Sequence, residues 1–343
     1  MKWEKVEARI RLECTAQRKS REFTLDYIAY CKKLFANNLP IISSSKHFSL
    51  LVGIDYQYMC KMAFASDCFY RHFTIPKSNG KRRKIDEPLP DLKFVQDWIL
   101  KNILERCKAS DYAKAYIKGR TLKHNARFHR AQPVLVTMDI KDFFSSISLN
   151  EVTAIFEHMG YFHKLSRFLA HLCCLRNVLP QGAPTSPYLS NLRMIAFDDK
   201  VASYTSNLHV RYTRYADDLT FSGEFNPHHL IKDISDFVFE EGFSINSGKT
   251  RVARSGARQE VTGIVVNSHM QVAKDKRKHI RQQVYYIRKY GIDSHLERIG
   301  EKRANYLNHL LGQINFALFV NPRDSEMKEY FAEIKDVLQS QKD

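Results

Sequence analysis

RYTRYADDLTFSG, Arg211 to Gly223, places two short runs of strand-forming residues on either side of the adjacent acids Asp217 and Asp218. β-Branched and aromatic residues favour strands, and a short polar interruption between two such runs reads as a hairpin. Adjacent acids at a hairpin tip are, taken alone, a solvated turn. They become half of a metal site only when another carboxylate stands beside them. PVLVTMDI (133–140) supplies one: a β-run ending at Asp139, 78 residues before Asp217. Neighbouring antiparallel strands would bring the two places together. Hard divalent ions such as Mg2+ take carboxylate oxygens and keep substrate phosphates as further ligands. Two such ions about 3.5–4 Å apart activate an attacking hydroxyl and stabilise a leaving pyrophosphate.

The whole chain suits a polyanionic partner. It has 343 residues, 44% of them hydrophobic, with 54 Lys and Arg against 37 Asp and Glu, a formal charge of +17. That is enough to bury a core divided into two or three subdomains. The excess of cations points to nucleic acid or to an anionic membrane surface. No apolar run approaches the ~20 residues of a membrane-spanning helix. MKWEKVEARIRLE is too charged for a signal peptide, and no lipidation motif is seen at either end. The seven cysteines have neither disulfide nor zinc-knuckle spacing, which suggests a reduced, cytoplasmic protein. His171, Cys173 and Cys174 lie in the apolar run 150–177, where cysteine serves as a small hydrophobe.

The order of elements is α+β. Residues 1–70 read as helical, and YRHFTIPKSNGKRRKIDEP (70–88) as a hairpin carrying Lys77, Lys81, Arg82, Arg83 and Lys84. An amphipathic helix follows in 91–107, then the run ending at Asp139, then the helix-like stretch 150–177. The Pro/Gly-dense loop NVLPQGAPTSPYLSNL (177–192) leads into a helix from about Tyr188. After the opening hairpin come a helix, a Gly turn and a strand in 228–252, a short strand in QEVTGIVVN (259–267), and basic helices from about Lys274 to the end. Helices backing a small antiparallel sheet are expected.

Five segments together make the chain recognisable. VTMDIKDFFSSI (136–147), LPQGAPTSPYLSNL (179–192), RYTRYADDLTFSG, EEGFSINSGKT (240–250) and VTGIVVN (261–267) resemble, in order and spacing, the palm of reverse transcriptases. NARFH (125–129) and VTG (261–263) resemble elements of the bacterial retron enzymes and favour these over group II intron proteins. The resemblance covers about residues 70–320. It implies a right-hand polymerase: an N-terminal helical segment (1–70), fingers (71–135 and 160–195), palm (136–159 and 196–268) and a helical thumb (269–343).

The resemblance also assigns roles. Asp139 and Asp217 match the metal-binding aspartates and Asp218 the second acid of the Tyr-Ala-Asp-Asp box; whether Asp218 faces the metal is open, because adjacent residues need not face the same ion. Phe144 matches the aromatic that screens the sugar: a ring beneath C2′ leaves no room for a 2′-hydroxyl. Gln181 and Gly182 match the turn beside the incoming nucleotide, Lys77 and Arg83 the cations that hold its triphosphate, and Lys249 a lysine near the leaving pyrophosphate. Asn125 and His129 would share a helix face, with RNA contact, a fold-locking role and a satisfied buried histidine all open. In KDKRKHIRQQVYYIRKYG (274–291), Lys276, Arg277, Arg281 and Arg288, with tyrosines interleaved, suit phosphate and 2′-hydroxyl contacts to RNA.

The implied function is Mg2+-dependent, two-ion, RNA-directed DNA synthesis in the bacterial cytoplasm. Its partners would be dNTPs, a cognate noncoding RNA as template and primer, the branched RNA–DNA product (msDNA), and a separate effector protein in defence against phage, with no membrane. The alternatives are a reverse transcriptase of group II intron or diversity-generating type, and a non-catalytic RNA-binding protein on a decayed palm. No RNase H-like segment is recognised, so removal of the template would fall to a host enzyme.

Overall fold

A computed structural model describes residues 2–76, 80–301, 303 and 305–340. The chain divides into two compact units, each assembled from separated segments.

The first unit comprises Met1–Ile117, Ile140–Val201 and Ser235–Ile245. Four helices occupy the first 70 residues, as expected: Trp3–Ala16, Arg21–Ala36, Ser45–Val52 and Tyr56–Phe64. Three of them start on Ser20, Ser44 and Asp55, whose side chains accept from the third backbone N–H of the helix. The cationic hairpin is present as β1 (Tyr70–Pro76) and β2 (Arg82–Pro88), antiparallel from Tyr70 opposite Pro88 to Pro76 opposite Arg82. The helix Pro90–Asn102 buries Leu92, Val95 and Ile99.

The run 150–177 is two helices, Leu149–Met159 and His163–Cys173, rather than one. Gly160 causes the break, since it adopts φ +113 at the C-terminus of the first helix, a conformation that side chains rarely tolerate. Cys173 and Cys174 are buried and free, and His171 packs on Phe64, which agrees with the apolar reading of this run. The proline-rich loop opens the helix Ser186–Arg193.

The second unit comprises Lys118–Asp139, Ala202–Ile234 and Asn246–Asp343. Its sheet has four antiparallel strands, β3 (Val134–Asp139), β4 (Arg211–Tyr215), β5 (Asp218–Gly223) and β6 (Arg251–Arg254), in the order β4-β5-β3-β6. Nearly every residue of β5 is buried, so both faces of this strand are covered. Tyr212 and Phe221 lie directly opposite each other, and their rings stack at 5.2 Å, which helps hold the β4–β5 register.

A smaller sheet pairs β7 (Glu260–Val261), β8 (Ile264–Val265) and β9 (Gln271–Val272). Thr262 and Gly263 join the first two with φ +47 and +84, the conformation of a two-residue hairpin turn. The Val-Thr-Gly element is therefore a tight turn. The C-terminal helices Lys274–Tyr290, Ile292–Ile299, Tyr306–Val320 and Ser325–Ser340 pack on this sheet around Val261, Ile264, Ile280, Leu310, Ile314 and Ile334.

Candidate active site

The geometry starts at strand register. Asp218 is the first residue of β5 and pairs with Asp139, the last residue of β3. Residues directly opposite on neighbouring antiparallel strands point to the same face. Two carboxylates 79 positions apart in the chain are thus set side by side on a rigid sheet. Asp217 and Ala216 make the two-residue turn between β4 and β5. Ala216 has φ +57, a left-handed conformation unusual for a residue with a side chain. The buried Arg214 braces it, donating from Nη1 to the Ala216 carbonyl at 3.2 Å.

Electrostatics mark the same point. Burial, followed by the charges of Asp217 and Asp139, pushes the Asp218 carboxyl up to about 7, with Lys249 working in the opposite direction. Lys249 follows the backbone anchor from Asn246 N–H to the Asp139 carbonyl (2.8 Å). Its ammonium donates to both Asp139 oxygens, at 2.8 and 2.7 Å. Chiefly through that bond, Asp139 holds the ammonium above the ordinary lysine value. A cavity of about 760 Å3 opens here, lined by Asp139, Asp218, Lys249 and the Thr262–Gly263 turn among others.

Among the described residues, no three His, Cys, Asp or Glu side chains are gathered as a metal cluster. The donor chemistry nonetheless fits a hard divalent ion. Burial, with the neighbouring carboxylates adding to it, raises the pKa of Asp218, and the cation facing Asp139 is a lysine on a surface segment.

Asn125 and His129 are both fully buried on the helix Leu122–Phe128 and its C-terminal cap. Thr213 Oγ1 donates to Asn125 Oδ1 (2.6 Å), so His129 donates from Nε2 to Thr213 Oγ1 (2.7 Å), and its Nδ1 shares a hydrogen bond with Ser222 Oγ (2.7 Å). The imidazole ties the helix to β4 and β5, the strands that carry the acidic turn. Direct RNA contact is not open to either side chain; they lock the fold. His129→Leu would take this partner from the buried Ser222 hydroxyl, at about 1–3 kcal/mol, while Thr213 keeps its bond to Asn125. Urea denaturation is expected to show a loss of about 1–3 kcal/mol.

The basic helix also differs from expectation. Arg277 pairs with Asp324 and Glu326, Arg281 with Glu326, and Arg288 with Glu329 and Glu333, all at 2.6–3.1 Å. Chiefly through Arg281, Glu326 is held down to about 2. These three arginines pair Lys274–Tyr290 with Ser325–Ser340. Lys276 is different: it lies over the Phe316 ring (5.9 Å) and lines a groove of about 790 Å3 with His279, Gly312 and Gln313. Gly312 is inside the helix Tyr306–Val320, and a Cβ there would meet open space, so no packing among the described residues requires it.

Of the expected nucleotide-binding residues, Arg83, Phe144, Gln181 and Gly182 lie in the first unit and Lys249 in the second. Lys77 falls outside the described residues. Arg83 is exposed on β2, opposite Ile75. The Gln181 carbonyl accepts from Asp86 N–H of β2 at 2.9 Å. Gly182 has φ +134, and a Cβ there would stand 2.7 Å from the Asp86 carbonyl oxygen. Glycine is therefore required for the loop to reach the hairpin. Phe144 opens the 3-10 turn Phe144–Ser146, in which the Asp142 carbonyl accepts from the Ser145 and Ser146 hydroxyls. Sequence reasoning passed over Arg214 and Asp86. Only the position of Arg214 beside the acidic box gave any signal.

An acidic strand end, an opposed acidic hairpin and a cavity beside them define a nucleotidyl-transfer enzyme. Residues 75–307 match the reverse transcriptase (RNA-dependent DNA polymerase) family. The chain is 31% identical to the retron Ec86 reverse transcriptase of Escherichia coli, covering 83% of this chain and 87% of that protein. It is 33% identical to the retron Mx162 enzyme of Myxococcus xanthus, covering 68% of this chain and 55% of that protein. It is 28% identical to the retron Mx65 enzyme of the same organism, covering 95% and 79%. The chain belongs to the retron-type reverse transcriptases, RNA-directed DNA polymerases of right-hand α+β fold. Membership carries dependence on a divalent cation and on an RNA template. Among the described residues, no helix is long and apolar enough to cross a membrane.

Proposed function

We propose that this polymerase copies a dedicated structured noncoding RNA into branched RNA–DNA, priming from an internal 2′-hydroxyl of that RNA. The observation that carries the polymerase chemistry is the pairing of Asp139 with Asp218 beside Asp217, with both paired acids lining one cavity. Asp139 and Asp217 would hold two Mg2+ ions, with Asp218 completing the acidic set. When bound, such ions activate the primer hydroxyl and offset charge on the departing pyrophosphate.

The chain's own residues supply position and charge. Arg214 and the His129–Thr213–Asn125 network keep the acidic turn in place. Lys249 stands at the carboxylate where the pyrophosphate charge develops. Arg83 on the hairpin, together with Lys77, would grip the triphosphate, Gln181 and Gly182 would bound the incoming base pair, and Phe144 would exclude a 2′-hydroxyl. In this reading the C-terminal helices form the thumb, the sheet of β3–β6 the palm and the β1–β2 hairpin the fingers.

Product duplex would lie along the groove lined by Lys276 and Gly312, where the missing side chain lets a sugar–phosphate backbone approach. Lys276→Ala should weaken RNA binding and lower its salt slope by about one, with unchanged melting. Arg281→Ala should leave the slope alone and cost under about 1 kcal/mol of stability. Filter binding across a salt series, with melting curves, distinguishes the two.

The retron relatives support the branched product, and the resemblance supports a role in phage defence with a separate effector. Sequencing nucleic acid that copurifies with the protein tests this. A short DNA joined through a 2′-linkage to one RNA guanosine is expected. Recovery of intron RNA, or of linear cDNA alone, would contradict it.

A further inference from the structure

Tyr116 is in an uncomfortable place. Its backbone has φ +60, a left-handed conformation that suits glycine and is unusual for an aromatic residue, yet its side chain remains 49% exposed. Burial therefore repays little of that strain. The conformation is fixed from behind, because the buried Asn191 amide donates to the Ala115 carbonyl at 2.9 Å, just before the strained residue. The ring lies 6.5 Å from that of Phe144, tilted by 51°. Phe144 also meets Phe143 at 5.5 Å, and Phe143 is a core residue.

We propose that Tyr116 is a positioning residue for sugar selection, a buttress that keeps the Phe144 ring in the path of a 2′-hydroxyl. The inference rests on the reading of Phe144 as the sugar gate. A gate excludes a hydroxyl only as far as it resists being pushed aside, and a ring backed by Phe143 alone keeps side-chain rotations open to it. Tyr116, held by its own backbone, closes them. An aromatic pair of this kind is worth roughly a 2- to 12-fold preference for one arrangement.

The test uses the full chain on a primed RNA template, comparing kcat/KM for each dNTP with that for the matching rNTP. Tyr116→Gly removes the ring and suits the backbone, so the melting temperature should hold or rise. Tyr116→Asn, also tolerated in this conformation, is the second ring-less variant. Both should lower the dNTP/rNTP ratio roughly 2- to 12-fold, mainly through improved rNTP use, and Tyr116→Phe should restore it. Phe144→Ala should lower it further, by about 10- to 200-fold. If Phe144→Ala relaxes selection while both ring-less variants discriminate like the wild type, the buttress is wrong and the gate stands. If Phe144→Ala leaves the ratio unchanged, the gate reading fails and the buttress fails with it.

Discussion

Asp218→Asn is expected to make the metal-free protein more stable while destroying its activity. The Asp218 carboxyl rises from 3.8 to about 7 on folding because it is buried and faces Asp217 and Asp139. Between about pH 4 and 7 the folded chain therefore binds the proton more tightly than the unfolded chain does. Stability falls as pH rises through that window, and the penalty is complete above about 7. At about 1.4 kcal/mol per pH unit, it amounts to at most about 4 kcal/mol. Asparagine has no charge to penalise. In chelator at pH 8 the variant should melt above the wild type, and the difference should vanish near pH 4. Added divalent cation should raise the wild-type midpoint more than the variant's, while primer extension falls by at least about 10²–10³-fold. A variant that melts below the wild type at pH 8 would mean that the carboxylates are not crowded.

Gly182→Ala should impair both stability and nucleotide use. The added methyl would meet the Asp86 carbonyl oxygen at 2.7 Å, a backbone atom that cannot step aside as a side chain would. The φ of +134 also disfavours any side chain. Strain and overpacking together should cost about 2–4 kcal/mol. The loop can avoid the clash only by drawing back from β2 and breaking the bond from Asp86 N–H to the Gln181 carbonyl. Displacement of about 1 Å beside a reacting nucleotide costs about 10²-fold in rate. Steady-state kinetics should show the KM for dNTP rising with kcat falling, and hydrogen exchange at the Asp86 amide should accelerate. Unchanged exchange together with unchanged KM would mean that the contact is incidental.

The acids were legible in the sequence because strand runs ending on Asp139 and flanking Asp217–Asp218 leave few ways to pair. The antiparallel register then follows. The cationic hairpin was legible for the same local reason. Contacts made by distant residues were not. Arg277, Arg281 and Arg288 look like RNA-binding cations until Asp324, Glu326, Glu329 and Glu333 fold back against them, and no local pattern announces that pairing. Asn125 and His129 share a helix face in sequence, but their partners Thr213 and Ser222 lie on strands more than 80 residues away. Gly182 resembles any loop glycine until Asp86 is placed against it. The strain at Tyr116 and Ala216 is a backbone property that composition does not encode.

The central claim is that Asp139, Asp217 and Asp218 form the metal-holding centre of an RNA-templated DNA polymerase. The direct measurement is dNTP incorporation on a primed RNA template in Mg2+, comparing the wild type with Asp217→Asn/Asp218→Asn, both shown to be folded by melting curves. Metal-dependent extension by the wild type, and loss of at least about 10³-fold in the variant, is the predicted result. Extension that survives both substitutions would contradict the account.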